Sequence, residues 1–340
     1  MNYQDERNQK NMLKMKEVIS TLPYYVSDYF TARRTNTTTR TRLSYSYDIR
    51  KFFLWLTGAI PELKDCSTKD VPLTSINNLN ARDIEEYIDF LQTDTENLNH
   101  KAGVSRKLSA LSAFFDYLYK NDLIDNNPCD KVIKPKQTDD KRIIKMSPDE
   151  VSRFLDCIEY GCQSFSEKQQ AYLKKTRERD LAIATLLLGT GIRVSECVGL
   201  NVSDVDFNNC RIKVFRKGEK IQNVPIGDEV AEALNRYLLI RNNIQASDDA
   251  LFLSMQKTRM TIQAVENMVN KYAQAIGTAY RITPHKLRKT YGTSLYQETG
   301  DIYLVASALG HSSVDTTKKH YAAQDEERLL QARNAVKLRD

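Results

Sequence analysis

Four successive segments in the first third of the chain carry apolar residues at helical spacing, and this periodicity restricts the fold more than any other feature. The segments are TLPYYVSDYFTARR, TRLSYSYDIRKFFLWL, NARDIEEYIDFLQ and SRKLSALSAFFDYLYKN. The last three segments each align one apolar face: Tyr45, Ile49, Phe52, Phe53 and Leu56; Ile84, Tyr87, Ile88 and Leu91; Leu108, Leu111, Phe114, Phe115 and Leu118. Four such helices with short connections can bury a common core. The aromatic side chains are therefore predicted to pack inside a helical domain and not to stack on bases.

A polar segment, NNPCDKVIKPKQTDDKRIIK, follows these helices and shows little apolar periodicity. Its prolines and charged residues are typical of an inter-domain linker. A new helix is predicted at MSPDEVSRFL, because Ser147 is a good N-cap, Pro148 suits the first turn and Glu150 completes a capping box. We therefore predict one domain over residues 1–135, a linker over 136–146 and a second domain over 147–340.

The second domain is predicted to be mostly helical, with one β-structure. Two β-prone runs, residues 211–215 and 221–226, surround the stretch RKGEK and predict a hairpin with a glycine-containing turn. Upstream, DLAIATLLLGTG is typical of a buried helix, and we expect Gly189 and Gly191 to end it. The fold class is therefore mainly α, in two domains.

Composition excludes several classes of protein. No apolar run reaches the roughly 18 residues of a membrane span, and the N-terminal stretch MNYQDERNQKNMLKMKEV lacks the apolar core of a signal peptide. We therefore expect a cytoplasmic protein. The six cysteines form no CxxC pair and no zinc-type spacing with histidine. We expect them to be reduced, and we expect neither a metal site nor a cofactor.

Basic residues are clustered in the first domain. The net charge of +6 permits nucleic-acid binding but does not demonstrate it. The clusters contain Arg33, Arg34, Arg40 and Arg42, and then Lys101, Arg106 and Lys107. On charge alone, two solvated helix faces are slightly favoured over a DNA contact.

Four stretches of the second domain carry residues suited to phosphate chemistry. They are GTGIRVSE, the hairpin turn RKGEK, HKLR and LGHSSVDTTKKHYA. Each residue taken alone has an ordinary structural explanation. Guanidinium groups match the geometry of phosphate oxygens and stay charged. A cluster of cations and imidazoles also favours the phenolate of a tyrosine, whose free pKa is about 10.

In their order and spacing, these four stretches resemble the tyrosine recombinase (phage integrase-like) family. The likeness is strongest to the Xer chromosome-dimer recombinases of the single-recombinase type. It implies a two-domain C-shaped clamp. One domain is a four-helix core-binding (SAM-like) domain, and the other is a mostly helical catalytic domain with a small sheet. It also implies a C-terminal exchange helix near residues 325–338 that docks on a neighbouring protomer, with packing on its own domain left open.

The resemblance assigns a role to each residue of the predicted site. Tyr321 is the nucleophile that forms a 3′-phosphotyrosyl bond. Arg193 and Arg288 bind the non-bridging oxygens. Lys217, with Lys220 as a rival in the same turn, protonates the leaving 5′ oxygen. His285 takes part in proton transfer, His311 hydrogen-bonds the phosphate, and Glu196 supports Arg193. His320 has no fixed role in the family pattern.

The implied partners are duplex DNA with inverted-repeat half-sites and further copies of the chain, two per site and four in the synapse. With this resemblance, the two basic clusters of the first domain are predicted to contact the DNA: Arg33, Arg34, Arg40, Arg42, Lys101, Arg106 and Lys107. A DNA translocase that regulates the reaction is a further candidate partner. Three alternatives stay open: a mobile-element integrase, an inactive DNA-binding homologue and a type IB topoisomerase. Only residues 1–20 precede the first predicted helix, so we do not expect the arm-site domain of many integrases, although simple element integrases also lack it. All six catalytic residue types are present, which argues against an inactive homologue.

Overall fold

The computed structural model describes residues 3–93, 101–133, 145–216, 220–246, 248–311 and 313–315. The chain divides into two compact units, Met1–Lys141 and Arg142–Asp340. This division falls inside segment 136–146, for which the sequence predicts a linker. Within the described ranges, no helix is both long and apolar enough to cross a bilayer.

The first unit is helical throughout its regular structure. Its helices are α1 (Tyr3–Ile19), α2 (Tyr24–Ala32), α3 (Thr39–Ala59), α4 (Leu73–Asn77), α5 (Ala81–Thr93) and α6 (Lys101–Lys120). Helices α2, α3, α5 and α6 form at the four segments for which the sequence predicts helices. Helix α1 was not predicted, and it contributes only Met15 and Val18 as buried residues.

The aromatic stripes form the core of this unit, as predicted. Phe52 has 0% exposure and packs against Tyr87 and Phe115, with ring centroids 5.2 and 5.9 Å apart. The hydroxyl of Tyr25 donates to the carbonyl of Val71 at 2.9 Å, so its one polar atom is satisfied inside the core. These rings stabilise the fold and are not available for stacking on bases.

The second unit is also mainly helical, with one small sheet. Its elements are α7 (Pro148–Tyr160), α8 (Glu167–Thr190), α9 (Val194–Cys197), β1 (Val205–Asp206), β2 (Arg211–Arg216), β3 (Lys220–Pro225), α10 (Asp228–Arg241), α11 (Ile262–Ala275), α12 (Pro284–Thr299) and α13 (Ile302–Leu309). Helix α8 packs against α7, α10 and α12. The sheet is antiparallel in the order β1-β2-β3, and Arg216 pairs with Lys220 at the turn end of the hairpin. The predicted hairpin is confirmed.

The start of α7 follows the predicted capping box. Ser147 Oγ accepts from the backbone N–H of Glu150 at 3.2 Å, and Glu150 Oε2 accepts from the backbone N–H of Ser147 at 2.8 Å. Tyr280 donates its hydroxyl proton to the same carboxylate oxygen at 2.9 Å. The backbone bond from Ser147 lowers the pKa of Glu150 most, and burial with the bond to Glu150 raises the pKa of Tyr280 to about 12.

Helix α8 ends just before Gly191, one of the two glycines predicted to end it. Gly189 lies inside the helix, and the left-handed residue after the last turn is Gly191, with φ of 61°. A buried network stabilises the middle of this helix. Asp180, with 0% exposure, accepts from Arg179 Nε at 3.0 Å and from the Tyr272 hydroxyl at 2.8 Å.

The prediction that all cysteines are reduced is wrong for one pair. Cys157 and Cys162 form a disulfide, with their Cα atoms 5.1 Å apart. Cys157 lies in the last turn of α7, and Gly161, with φ of 89°, reverses the chain so that Cys162 returns beside it. Among the described residues, Cys66, Cys129, Cys197 and Cys210 form no disulfide.

Candidate active site

The candidate site is built around the C-terminal end of α13. Gly310 follows the helix in the left-handed conformation, with φ of 60°. The backbone N–H of Gly310 donates to the Ser307 carbonyl at 2.9 Å, and that of His311 donates to the Ala306 carbonyl at 3.0 Å. This is the Schellman pattern of hydrogen bonds. It leaves the carbonyls of residues 308, 309 and 310 without a helical donor.

Three arginines from three separate parts of the chain supply the missing donors. Arg216 Nη2 donates to the carbonyl of Ala308 at 2.9 Å. Arg288 Nη2 donates to the carbonyl of Leu309, and Arg193 Nη2 donates to that of Gly310 at 3.3 Å. The C-terminal end of a helix carries partial negative charge, so it offsets part of the repulsion between these cations. The turn before His311 thus gathers three guanidinium groups.

Glu196, three residues further along the chain, binds both the backbone and the side chain of Arg193. Arg193 is the residue before α9, and its backbone N–H and its Nη1 each donate to the Glu196 carboxylate at 2.8 Å. The Glu196 side chain is only 4% exposed, whereas that of Arg193 is 40% exposed. Arg193 can therefore meet a ligand while a buried carboxylate fixes its orientation.

Arg288 is the buried member of the set, with 4% exposure. Its Nη1 donates to the carbonyl of Gly191 at 2.5 Å. A Cβ at Gly191 would lie 2.3 Å from Tyr291 Cδ1, and the residue has a positive φ, so only glycine fits this turn. The end of α8 and the end of α13 thereby share one guanidinium.

The two predicted histidines of the site flank these arginines. His285 lies in the first turn of α12, three residues before Arg288, and is exposed. His311 follows Gly310 directly and is half-buried. The structure therefore brings Arg193, Glu196, Arg288 and His311 to one turn. His285 lies on the helix that carries Arg288.

The amino-acid sequence is similar to a known protein family and to curated members of it. A model of the phage integrase family matches residues 145–328. Tyrosine recombinase XerS of Streptococcus equi subsp. equi (strain 4047) is 33% identical over 338 residues, which cover 90% of this chain and 93% of that protein. XerS of Lactococcus lactis subsp. cremoris (strain MG1363) is also 33% identical and covers 91% and 93%.

This chain belongs to the phage integrase family of tyrosine recombinases.

Solved structures share the tyrosine recombinase fold. A crystal structure of XerH site-specific recombinase bound to a palindromic difH substrate has a TM-score of 0.67 at 20% identity, covering 89% of this chain and 82% of that one. A lambda integrase dimer bound to a core site has a TM-score of 0.63 at 16% identity, covering 87% and 94%. The mainly helical fold with a small sheet is therefore confirmed.

Two predicted site residues of this tyrosine recombinase, Lys217 and Tyr321, lie outside the described residues, and so does His320, to which no role was assigned. The same is true of segment 325–338 and of the Lys220 side chain, although the Lys220 backbone pairs with Arg216. The assignments of Lys217 and Tyr321 therefore stay predictions from the sequence.

One residue of the site was not predicted at all. Arg216 contacts the turn that Arg193 and Arg288 also bind, yet its residue type and its place in a strand do not distinguish it from an ordinary strand arginine. Its only local signals are that it precedes Lys217 and that Gly310, which it contacts, precedes His311.

The basic residues of the first unit differ in accessibility. Arg34, Arg40 and Lys101 are exposed. Arg106 is exposed as well, but it is ion-paired with Asp48, and Arg33 is half-buried over the Tyr29 ring. Arg42 and Lys107 are buried, with 7% and 9% exposure, and burial lowers the pKa of each. The structure thus presents only part of the predicted DNA-contact set to solvent.

Proposed function

We propose that this tyrosine recombinase resolves chromosome dimers by exchanging strands at one short inverted-repeat site. The observation that carries the proposal is the meeting of Arg193, Arg288 and His311, which lie far apart in the sequence, at the end of α13. The XerS relatives, which align over nearly their whole length, favour this function over mobile-element integration. We also propose a cytoplasmic location, because the chromosome on which the enzyme would act lies there.

The proposed reaction needs neither a metal nor a cofactor. The Tyr321 oxygen attacks the phosphorus and forms a 3′-phosphotyrosyl bond while the bond to the 5′ oxygen breaks. The phenol proton passes to His285, and Lys217 gives a proton to the departing oxygen. Arg193 and Arg288 stabilise the charge that develops on the non-bridging oxygens, and His311 hydrogen-bonds one of them. Attack by the 5′ hydroxyl of the partner duplex reverses these steps, and two rounds pass through a Holliday junction.

We further propose that both units contact the duplex, with residues 1–135 as the core-binding domain and 147–340 as the catalytic domain. The exposed Arg34, Arg40 and Lys101 would bind phosphates in the first unit. Two copies would occupy one site and four would form the synapse, with segment 325–338 exchanged between neighbours. A DNA translocase would set the order of strand exchange.

Capture of covalent adducts tests the proposal directly. The full chain is mixed with sheared chromosomal DNA from its host, the reaction is stopped with detergent, and DNA bound to protein is sequenced. Tyr321→Phe is the matched control, because it removes only the nucleophilic hydroxyl.

The expected result is a set of adducts at one inverted-repeat site of the chromosome that lies outside any mobile element, absent with Tyr321→Phe. Adducts at the end of a mobile element would show an integrase instead. Adducts scattered without sequence preference would indicate a topoisomerase. Equal recovery from the wild-type chain and the control would overturn the tyrosine chemistry.

A further inference from the structure

Arg216 lies at the end of strand β2, and its side chain ends beneath the α13 turn. Its Nη2 donates to the carbonyl of Ala308 at 2.9 Å, 92 residues away in the sequence. A Cβ added to Gly310 would lie 1.2 Å from Arg216 Nη1, so the guanidinium occupies the space that any other residue at 310 would fill. The contact therefore joins the hairpin to the turn that carries His311.

Stability alone does not explain this contact. Nε and Nη1 of Arg216 are buried and have no hydrogen-bond partner among the described residues. Unpaired buried donors of a charged group are costly, and one carbonyl bond offsets only part of that penalty. Local arrangements that are unfavourable for folding occur mainly at functional sites.

Direct binding of a DNA phosphate does not explain the contact either. The two unpaired nitrogens are enclosed by the turn, and the third is already bound to Ala308. Arg193, by contrast, keeps 40% of its side chain exposed and is the guanidinium that a phosphate can reach. Arg216 also lies within the electrostatic range of Glu196 and Arg193, so its position affects the charge balance of the site.

We propose that Arg216 is a positioning residue for strand cleavage. By fixing the last residue of β2 to the turn that also binds Arg193 and Arg288, it sets where the next residue in the chain, Lys217, meets the phosphate. The inference rests on the proposed function, in which Lys217 protonates the leaving oxygen. Arg216 itself touches no reacting atom.

The test uses a substrate that needs no acid. In a duplex of the captured site, sulfur replaces the bridging 5′ oxygen at the cleavage position. A thiol has a pKa near 8.5, far below that of an alcohol, so the leaving group departs unprotonated. The rate of covalent complex formation is measured on this duplex and on the ordinary one for wild type, Lys217→Ala, Arg216→Gln, Gly310→Ala and the control Lys213→Gln.

Lys213 is an exposed residue of the same strand, so its variant is expected to behave as wild type on both duplexes. Arg216→Gln is expected to cleave the ordinary duplex about 100-fold more slowly, as loss of an acid would. On the sulfur duplex it should return to within about threefold of wild type, as should Lys217→Ala. In Gly310→Ala, the added methyl group takes the space of the Arg216 guanidinium and displaces it from the turn. The double variant Arg216→Gln/Gly310→Ala should therefore cleave the ordinary duplex little more slowly than Arg216→Gln alone.

Equal slowing of Arg216→Gln on both duplexes would overturn the inference, because the defect would then lie in phosphate binding or folding. Failure of the wild-type chain to form any adduct would instead count against the proposed function. Amide hydrogen exchange in the DNA-free full chain gives a check that needs no substrate. Exchange at Gly310 and His311 should be at least about fivefold faster in Arg216→Gln than in Lys213→Gln. Unchanged exchange would also overturn the inference.

Discussion

The carboxylate of Glu196 binds Arg193 twice, through the backbone N–H and through the guanidinium, at 2.8 Å in each case. One buried acid therefore fixes both the start of α9 and the direction of the side chain that leaves it. The main chain and the side chain of Arg193 cannot move independently while both bonds are present.

This double contact predicts the behaviour of two Glu196 variants. Glu196→Ala removes both acceptors, and we expect covalent complex formation to slow by about 10- to 100-fold with DNA affinity nearly unchanged. Glu196→Gln keeps an acceptor oxygen without the charge and should fall between wild type and Ala. The rates of covalent complex formation are measured on a duplex that carries the DNA sequence recovered in the adduct experiment. Wild-type rates for both variants would show that Arg193 needs no such support.

The network around Asp180 predicts the stability of the second unit. Tyr272→Phe removes one hydrogen bond to a buried carboxylate and should lower the free energy of unfolding by about 1.5 to 3 kcal/mol. Asp180→Ala leaves the Arg179 guanidinium, which is 9% exposed, without its acid and should lower it by about 3 to 5 kcal/mol. Urea denaturation followed by circular dichroism measures both. The exposed Glu232→Ala serves as a control that should stay within about 0.5 kcal/mol of wild type.

The capping box of α7 predicts a pH dependence with a definite sign. The pKa of Glu150 is lowered in the folded chain, chiefly by the backbone bond from Ser147. The contribution of the Glu150 charge to the free energy of unfolding is therefore complete above the unfolded-state pKa of about 4.3. It is lost as pH falls through the lower folded-state pKa. Glu150→Gln keeps the bonds without the charge.

The wild-type chain should thus be more stable than Glu150→Gln by up to about 1 kcal/mol at pH 7, with the difference shrinking towards zero near pH 3. Denaturant titrations at the two pH values give the comparison. A difference that grows on acidification would contradict the assignment.

The exposed arginines of the first unit predict the salt dependence of DNA binding. If Arg40 contacts a phosphate, Arg40→Gln should weaken binding to a short random-sequence duplex and reduce the slope of log K against log salt by about 0.9. Arg82→Gln is the matched control, because Arg82 is 85% exposed but is paired with Glu86 at 3.4 Å. An unchanged slope for Arg40→Gln would remove this residue from the proposed interface.

The parts of the fold that the sequence could predict are those with local causes. The stripes of α3, α5 and α6 are read from periodicity, and the cap at Ser147 from three neighbouring residue types. Helix α1 lacks such a stripe and is stabilised by only two buried residues, so it was missed. The Cys157–Cys162 disulfide was missed because the expected cellular compartment, and not the turn at Gly161, decided the prediction.

The sequence identified most residues of the candidate site but not the contacts that bring them together. The sequence singles out Arg193, Arg288 and His311, but the groups that gather the arginines are backbone carbonyls, which every residue has. Which carbonyls are left over depends on where α13 ends and on how Gly310 caps it. Arg216 could not be found from the sequence for the same reason.

Because the three arginines bind successive backbone oxygens, the turn tolerates some evolutionary changes in sequence and not others. The side chains at positions 308 and 309 can drift with little effect on the hydrogen bonds, since their carbonyls alone are bound. A single inserted or deleted residue between α13 and His311, however, would shift every acceptor by one position relative to its arginine. Homologous chains should therefore vary in composition along this turn while its length stays constant.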